Sequence, residues 1–293
     1  MEFKPDSELL KKALPDIEII RFVAMGGYKA VYEAIINGKK EALKVAYIPR
    51  EDDRSEEVPD TLLRIKREVE SLNQCKCPYL VRLGSLKPQW HIIGFHNYIV
   101  YSEEFLEGKS LAELIKSGFK PTFDQCRKLL LCFLYVIKEL KMNKLIHRDI
   151  KPANVLALDD PDRPYVVLDL GIAFKLDSTA ITRDPNAVLG TLPYMPPETF
   201  TENFHQQIDF RSDLYSAALT TYEYASGTHP FIQGQRSDPF ILQRILKITP
   251  SSLYSHRPDF PGSFCQMIDQ LIKKIPALRP SNIDDLIKKL EAL

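Results

Sequence analysis

The order of strand and helix patterns along the 293 residues constrains the fold of this chain more than any other feature. Residues 17–48 are rich in β-branched residues and glycine, and Asn37-Gly38 is a strong signal for a hairpin turn. From Asp213 onward, one helical pattern follows another. A sheet followed by helices predicts an α+β fold, with an antiparallel sheet near the N-terminus.

Apolar spacing predicts the elements between these two regions. Residues 61–74 have helical spacing, and residues 124–141 are apolar nearly all round, which is typical of a buried helix. The charged residues 50–60 indicate a solvated loop. The other predicted elements are strands at 79–83, 98–104, 155–158 and 165–168, and helices at 213–226, 239–247, 264–274 and 282–293.

The composition is that of an ordinary folded protein without a general affinity for nucleic acid. The 39 basic residues balance 39 acidic ones, whereas a nucleic-acid-binding surface needs an excess of basic residues. Five scattered cysteines indicate a reducing compartment rather than a disulfide framework. The N-terminus lacks the apolar centre of a signal peptide, and no apolar stretch could span a bilayer core of about 30 Å. We therefore expect a cytoplasmic protein without a membrane segment.

The residues that carry chemistry are concentrated in His147-Arg148-Asp149-Ile150-Lys151-Pro152-Ala153-Asn154, followed by Asp169-Leu170-Gly171. The first three residues alone are a weak signal, but the whole set in this order is specific. On these residues the chain resembles the eukaryotic-type Ser/Thr protein kinase domain, including its bacterial members. The resemblance covers nearly the whole chain. It implies a single two-lobed kinase domain over residues 1–293, with a sheet lobe containing one main helix to about residue 106 and a mostly helical lobe over about residues 107–293.

The resemblance implies a role for each polar residue of this set, because phosphoryl transfer depends on positioning and charge neutralisation more than on covalent chemistry. Asp149 is expected to accept the proton of the attacking hydroxyl, and Lys151 to meet the γ-phosphate of ATP. Asn154 and Asp169 are expected to bind Mg²⁺ through oxygen atoms, which this ion prefers. Lys151 also indicates the Ser/Thr branch of the family rather than the Tyr branch.

Upstream residues resemble the nucleotide-binding part of the family. Ala42-Leu43-Lys44 matches the third-strand motif whose Lys binds the α- and β-phosphates, and Glu68 matches the helix Glu that pairs with it. Glu103 aligns with the gatekeeper position beside adenine, and a shift of one residue would place Ser102 there. The other expected nucleotide contacts are apolar side chains at Val31, Ala42 and Leu156 and backbone groups of the hinge at Glu104 and Leu106.

The glycine-rich loop departs from the family pattern G-x-G-x-x-G-x-V. This chain has Ala24-Met25-Gly26-Gly27-Tyr28-Lys29-Ala30-Val31, in which Gly26 is the one glycine of the pattern that remains and Gly27 stands beside it. Both glycines can bring backbone N–H groups close to phosphate. Lys29 replaces the third glycine, where it either adds a cation near the phosphates or faces solvent.

Residues 169–198 resemble the activation segment of a Ser/Thr kinase, which ends here in Gly190-Thr191-Leu192-Pro193-Tyr194-Met195-Pro196-Pro197-Glu198. Thr191 is expected to hydrogen-bond Asp149 and Lys151 and to help position a Ser or Thr substrate. Two further contacts are expected to be structural, namely a buried pair between Glu198 and Arg279 and a brace from Asp213 to the catalytic loop.

The usual phosphorylation position of this segment is occupied by Ala187, which cannot carry a phosphate. An activating phosphate would therefore lie further back, at Ser178, Thr179 or Thr182. The alternatives are that such regulation is absent or that a regulatory partner supplies it.

Together these residues imply a kinase that binds ATP and Mg²⁺ between its lobes and transfers the γ-phosphate to Ser or Thr hydroxyls of protein substrates. The altered glycine loop leaves a first alternative, a pseudokinase that acts as a nucleotide-responsive binding module. The presence of Lys44, Asp149, Asn154 and Asp169 argues against it. A second alternative is a small-molecule phosphotransferase on a related fold, but the complete segment 191–198, which holds peptide substrates in the family, argues against that.

Overall fold

The computed structural model describes residues 4–26, 29–48, 57–170, 174–175, 191–201, 208–232, 234 and 237–293. The chain divides into two compact units. Unit 1 comprises Met1–Asn73 and Val81–Glu107, and unit 2 comprises Gln74–Leu80 and Gly108–Leu293. The main division therefore falls between Glu107 and Gly108, while residues 74–80 group with unit 2 rather than with the helix that precedes them.

The described residues of unit 1 form one antiparallel sheet and two helices. The strands are β1 (Glu18–Met25), β2 (Lys29–Ile36), β3 (Lys39–Ile48), β4 (Gln89–Ile93) and β5 (His96–Glu104), in the order β1-β2-β3-β5-β4, and the helices are α1 (Ser7–Ala13) and α2 (Glu57–Gln74). Asn37 and Gly38 join β2 to β3 with φ values of 52° and 75°. Positive φ at both positions is the conformation that an Asn-Gly hairpin turn favours, so the predicted hairpin is confirmed.

The two faces of this sheet pack against different partners, because successive side chains of a strand point to opposite sides. One face buries Tyr32, Leu43 and Val100 in a cluster with Leu10 of α1. The other face buries Ala46 and Tyr101 with Ile65 of α2. Residues 29, 31 and 33 of β2, residues 42, 44 and 46 of β3, and residues 101 and 103 of β5 share this second face in the observed register.

Unit 2 is mostly helical, and the helices among its described residues are α3 (Leu111–Lys116), α4 (Phe123–Met142), α5 (Phe210–Ser226), α6 (Asp238–Lys247), α7 (Gly262–Leu271) and α8 (Ile283–Glu291). Its strands are β6 (Gly108–Ser110), β7 (Leu145–Ile146), β8 (Val155–Leu158), β9 (Tyr165–Val167) and β10 (Phe174–Lys175), with one sheet in the order β6-β8-β9 and a second pairing β10 with β7. Of the helices in the described ranges, none has the length and apolar character needed to cross a membrane.

Several helices of unit 2 begin at a capping side chain or end at a glycine. Ser110 and Thr122 start α3 and α4 with capping boxes, in which the side chain three residues later bonds back to the cap residue. Helix α5 is buried on nearly every side and ends at Gly227, whose φ is 74°. The predicted α+β arrangement, with a sheet first and helices later, is confirmed.

Three sequence expectations about elements differ from the structure. Helix α2 begins at Glu57, so the predicted loop over residues 50–60 is wrong for 57–60; acidic residues favour a helix N-terminus and proline is tolerated in the first turn. The strand predicted at 79–83 consists of isolated bridges from Leu80 to Val167 and from Leu83 to Glu103, because its two ends group with different units. Strand β4 and helices α1 and α3 were not predicted.

Candidate active site

The catalytic loop of unit 2, residues 147–154, is braced by Asp213 near the start of α5. Its carboxylate accepts hydrogen bonds from the backbone N–H groups of His147 at 2.8 Å and Arg148 at 3.0 Å. Burial raises the pKa of Asp213, and these backbone bonds oppose the rise by favouring the charged form. Arg148 has a φ of 69°, a left-handed conformation that the brace holds in place. The predicted contact of Asp213 is therefore present.

His147 is fully buried and orients the next part of the loop. Its Nε2 lies 3.2 Å from the carbonyl oxygen of Leu168, which can only accept, so Nε2 carries the hydrogen. Nδ1 is then the acceptor for the backbone N–H of Asp149 at 3.3 Å. The ring thus fixes the backbone on which the Asp149 carboxylate stands.

The Asp149 carboxylate lies at the centre of a closed set of hydrogen bonds. Its Oδ2 accepts from Lys151 Nζ at 2.7 Å and from Asn154 Nδ2 at 2.9 Å, and its Oδ1 accepts from Thr191 Oγ1 at 3.0 Å. Lys151 Nζ also donates to Thr191 Oγ1 at 2.6 Å. Both predicted contacts of Thr191 are therefore present. The side chains of Asp149 and Lys151 remain 16% and 20% exposed, so an incoming group can reach them.

The residues expected to bind Mg²⁺ are also brought together in unit 2. The backbone N–H of Leu168, directly before Asp169, donates to the carbonyl oxygen of Asn154 at 2.8 Å. Asn154 uses Nδ2 for its bonds to Asp149, which turns its amide oxygen away from that residue. Asp169 has a φ of 60°. A carboxylate and an amide oxygen are hard ligands that fit Mg²⁺.

Unit 1 contains a buried cluster of four charged side chains, which we call the lysine cluster: Lys29, Lys44, Glu68 and Glu103. Lys44 Nζ lies 2.8 Å from Glu68 Oε1, the predicted ion pair, and 2.5 Å from Glu103 Oε1. Lys29 Nζ lies 2.7 Å from Glu68 Oε2. Glu68 is fully buried, and the other three residues are at most 7% exposed.

Lys29 does not face solvent, so that alternative of the sequence prediction is wrong. The register places Val31 opposite Lys44 and Lys29 opposite Ala46, which puts both lysines on the α2 face of the sheet as diagonal neighbours. The alternation of side chains along a strand could have shown this, because Lys29 precedes the apolar Val31 by two positions and therefore lies on the same face.

Glu103 and Ser102 point to opposite faces of the sheet. Ser102 Oγ donates to Glu41 Oε2 at 2.5 Å on the α1 face, whereas Glu103 contacts Lys44 on the α2 face. Burial raises the pKa of Glu103 to about 7, and the charge of Lys44 opposes this rise. Of the two candidates for the gatekeeper position, Glu103 is the one whose side chain faces the lysine that is expected to bind phosphate.

The other expected nucleotide contacts are distributed over both units. Val31 and Ala42 lie half-buried on the α2 face beside Lys44. The N–H of Glu104 donates to Arg82 O at 2.9 Å, so a contact from Glu104 to adenine would use its carbonyl group. Leu106 in unit 1 and Leu156 of β8 in unit 2 are also half-buried.

The expected glycine loop and regulatory sites are only partly covered by the described residues. Gly26 N–H donates to the carbonyl oxygen of Lys29 at 2.8 Å across the turn between β1 and β2. The remaining expectations, Gly27 and the phosphorylation positions Ser178, Thr179, Thr182 and Ala187, lie outside the described residues.

The predicted pair between Glu198 and Arg279 is present and buried. The guanidinium group binds both carboxylate oxygens, at 2.6 and 2.8 Å, and both residues are at most 3% exposed. Ser212 Oγ donates to Glu198 Oε1 at 2.8 Å, and the guanidinium group lies 4.8 Å from the ring centre of Tyr215. This pair ties the segment after Thr191 to α5 and to the C-terminal part of unit 2.

Comparison with known proteins agrees with this geometry. A family model described as "Protein kinase domain" matches residues 17–290. The chain is 27% identical over 278 residues to a probable serine/threonine-protein kinase of Clostridium perfringens, covering 94% of this chain and 38% of the relative. It is 28% identical over 271 residues to serine/threonine-protein kinase PrkC of Bacillus subtilis, and the match covers 92% of this chain and 39% of that protein. It is 28% identical over 280 residues to mitogen-activated protein kinase kinase 1 of Arabidopsis thaliana, and the match covers 92% of this chain and 72% of that protein. The chain thus spans less than two fifths of the length of these two bacterial relatives.

Proposed function

The chain belongs to the protein kinase domain family, and we propose that it is an ATP- and Mg²⁺-dependent kinase that phosphorylates Ser and Thr hydroxyls of protein substrates. The observation that carries this proposal is the closed set of hydrogen bonds among Asp149, Lys151 and Thr191. It holds a partly exposed carboxylate, an ammonium group and a hydroxyl group in one place. Units 1 and 2 then correspond to the N-terminal and C-terminal lobes of a single kinase domain.

The proposed nucleotide contacts in unit 1 involve the α2 face of the sheet and the residues around it. Lys44, oriented by Glu68, binds the α- and β-phosphates, and Gly27 offers its backbone N–H group to them, since the N–H of Gly26 is already bonded to the carbonyl oxygen of Lys29. Because Lys44 is buried, its attraction to phosphate is weakly screened by water. Adenine is held by the side chains of Val31 and Ala42 and by the backbone of Glu104 and Leu106.

Phosphoryl transfer is the task of the catalytic loop. Asp149 accepts the proton of the substrate hydroxyl, and the oxygen of that hydroxyl forms a bond to the γ-phosphorus. The bond between the γ-phosphorus and the β–γ bridging oxygen breaks at the same time, which releases ADP. Lys151 balances the negative charge on the transferred group, and Thr191 positions the loop and the substrate hydroxyl. Asp169 and Asn154 would hold Mg²⁺, which would supply further neutralisation of the phosphates.

The preference for Ser and Thr rests on two lines of support. Lys151 donates to both Asp149 and Thr191, which is the arrangement that the sequence predicted for the Ser/Thr branch. The two bacterial relatives are named serine/threonine-protein kinases. The pseudokinase alternative is favoured by the altered glycine loop, but it gives no reason for the bonds that converge on Asp149.

The test is transfer from γ-labelled ATP with Mg²⁺ to a generic protein substrate and to the chain itself. We expect wild-type protein to transfer phosphate and Asp149→Asn to lose at least about a hundredfold, because general base catalysis contributes about that much or more. Asp159→Asn removes an exposed carboxylate from the same unit and should leave the rate unchanged. Wild-type protein that binds ATP with Mg²⁺ but transfers nothing would instead support the pseudokinase.

A further inference from the structure

Lys29 occupies a position in the lysine cluster that no part of the proposed mechanism uses. We propose that Lys29 is a second phosphate-binding lysine, which forms a two-lysine anchor with Lys44 for the polyphosphate chain of the nucleotide. This inference rests on the proposed function only in taking ATP as the ligand. It adds a binding residue at the place where the glycine loop has lost a glycine.

The geometry of Glu68 shows that a single anion can engage both lysines. Lys29 Nζ binds Oε2 of its carboxylate at 2.7 Å, and Lys44 Nζ binds Oε1 at 2.8 Å. Oxygen atoms of neighbouring phosphates are at least as far apart as the two oxygens of a carboxylate. A polyphosphate that reaches Lys44 can therefore also reach Lys29.

The charge of the cluster gives Lys29 a specific task. Lys44 alone would face two buried carboxylates, those of Glu68 and Glu103, and with both ionised the cluster would carry a formal charge of one negative unit. A buried negative cluster repels phosphate, since charges interact strongly where water is excluded. Lys29 brings the formal charge of the four side chains to zero and so offsets the effect of Glu103.

The position of Lys29 in the chain also favours contact with phosphate. Its carbonyl oxygen accepts the N–H of Gly26, and Lys29 is the first residue of β2. Its side chain is only 8% exposed and lies on the α2 face together with Lys44. A lysine whose task was solubility would not be placed there.

The first experiment compares ligands with and without phosphate by titration calorimetry. Lys29→Met should weaken ATP and ADP binding, measured with Mg²⁺, by at least about tenfold, while adenosine affinity changes by less than about twofold. Lys29→Arg should restore most of the loss because it keeps the charge. Lys39→Met, which removes an exposed charge from β3, should change none of these affinities. Equal weakening of adenosine and ATP would overturn the proposal, because it would show that Lys29 supports the fold of the site.

A second experiment separates phosphate binding from simple neutralisation of Glu103, and it remains informative if Lys29→Met fails to fold. In Glu103→Met protein the carboxylate that needs neutralising is gone. Adding Lys29→Met to that variant should still weaken ATP binding by at least about tenfold without weakening adenosine binding. Unchanged ATP affinity in the double variant would overturn the proposal.

The outcomes for the two proposals differ. Wild-type protein that binds ATP through Lys29 but transfers no phosphate would contradict the proposed function and support the two-lysine anchor. If wild-type protein is active and Lys29→Met leaves its ATP affinity unchanged, the two-lysine anchor is contradicted and the proposed function is not.

Discussion

The lysine cluster of unit 1 and the catalytic loop of unit 2 hold their charges in different ways. In unit 2, Asp149, Lys151 and Asn154 come from one short loop and remain partly exposed. In unit 1, Lys29, Lys44, Glu68 and Glu103 come from three strands and a helix and are almost completely buried. A group that must exchange a proton with a substrate needs access, whereas a group that binds phosphate gains strength from the exclusion of water.

This difference also explains the energetic risks of the two regions. Buried ion pairs lose several kcal/mol of hydration per ion, so removal of one partner leaves a costly unpaired charge. Partly exposed pairs are screened by water and contribute little to stability. We therefore expect variants of buried charges to affect the fold, and variants of the catalytic loop to affect mainly the reaction.

The largest effect on stability is expected at the other buried pair, between Glu198 and Arg279. Arg279→Ala should lower the free energy of unfolding by about 3–5 kcal/mol, because it leaves the carboxylate of Glu198 buried and unpaired. Denaturant unfolding measures this change. Lys289→Ala breaks an exposed pair with Asp285 and should cost less than about 1 kcal/mol. Similar losses of unfolding free energy in the two variants would show that buried and exposed charges do not differ in the way we describe.

The next effect is expected on the reaction when Lys44 is removed. Lys44→Ala should lower phosphate transfer at least about tenfold, or 1.4 kcal/mol of barrier, because it deletes the proposed phosphate contact and the cation that pairs with Glu103. Rates at saturating and limiting ATP separate binding from transfer. If Lys29 is a second anchor, ATP binding should weaken but remain measurable. A rate equal to that of wild type would show that Lys44 has no part in phosphate binding.

A smaller effect should appear in the pH dependence of stability. The pKa of Glu103 is raised from the ordinary 4.5 to about 7 in the folded protein, so the folded state binds more protons than the unfolded state between these values. The free energy of unfolding should therefore fall as pH rises through this window. The groups that face Glu103 are Lys29, Lys44 and Glu68.

Glu103→Gln isolates this contribution, because Asp213 and Glu223 also have raised pKa values and change stability in the same direction. The unfolding free energy of wild type should decrease relative to that of Glu103→Gln between about pH 5 and pH 7. A difference that is constant over this range would mean that the two lysines keep Glu103 ionised, and would weaken the contrast between the two regions.

The sequence predicted the contacts of the catalytic loop better than those of the lysine cluster. Asp149, Lys151 and Asn154 were predicted from one short motif, and Thr191 from the resemblance of residues 169–198 to an activation segment. The bonds from Lys151, Asn154 and Thr191 to Asp149 are present. The pair of Lys44 with Glu68 was also predicted. The contact of Glu103 with Lys44 was not, because it depends on the pairing of β3 with β5, which are separated in the chain by α2 and β4.

The orientation of Lys29 was missed for the same physical reason. Alternation along β2 places Lys29 on the same side of the strand as Val31, but only the register with β3 shows that this side is the α2 face. Helix α1 was missed because its seven residues are too few for a clear period, although Asp6 caps it with bonds to the N–H groups of Glu8 and Leu9.

The most direct test measures ATP affinity with Mg²⁺ and phosphate transfer together for wild type, Asp149→Asn and Lys44→Met. We expect Asp149→Asn to keep ATP affinity within about threefold while its transfer collapses, because the proposed role of Asp149 is toward the substrate hydroxyl and not the nucleotide. We expect Lys44→Met to lose affinity and transfer together. Transfer by Asp149→Asn at the wild-type rate would contradict the assignment of phosphoryl transfer to the catalytic loop of unit 2.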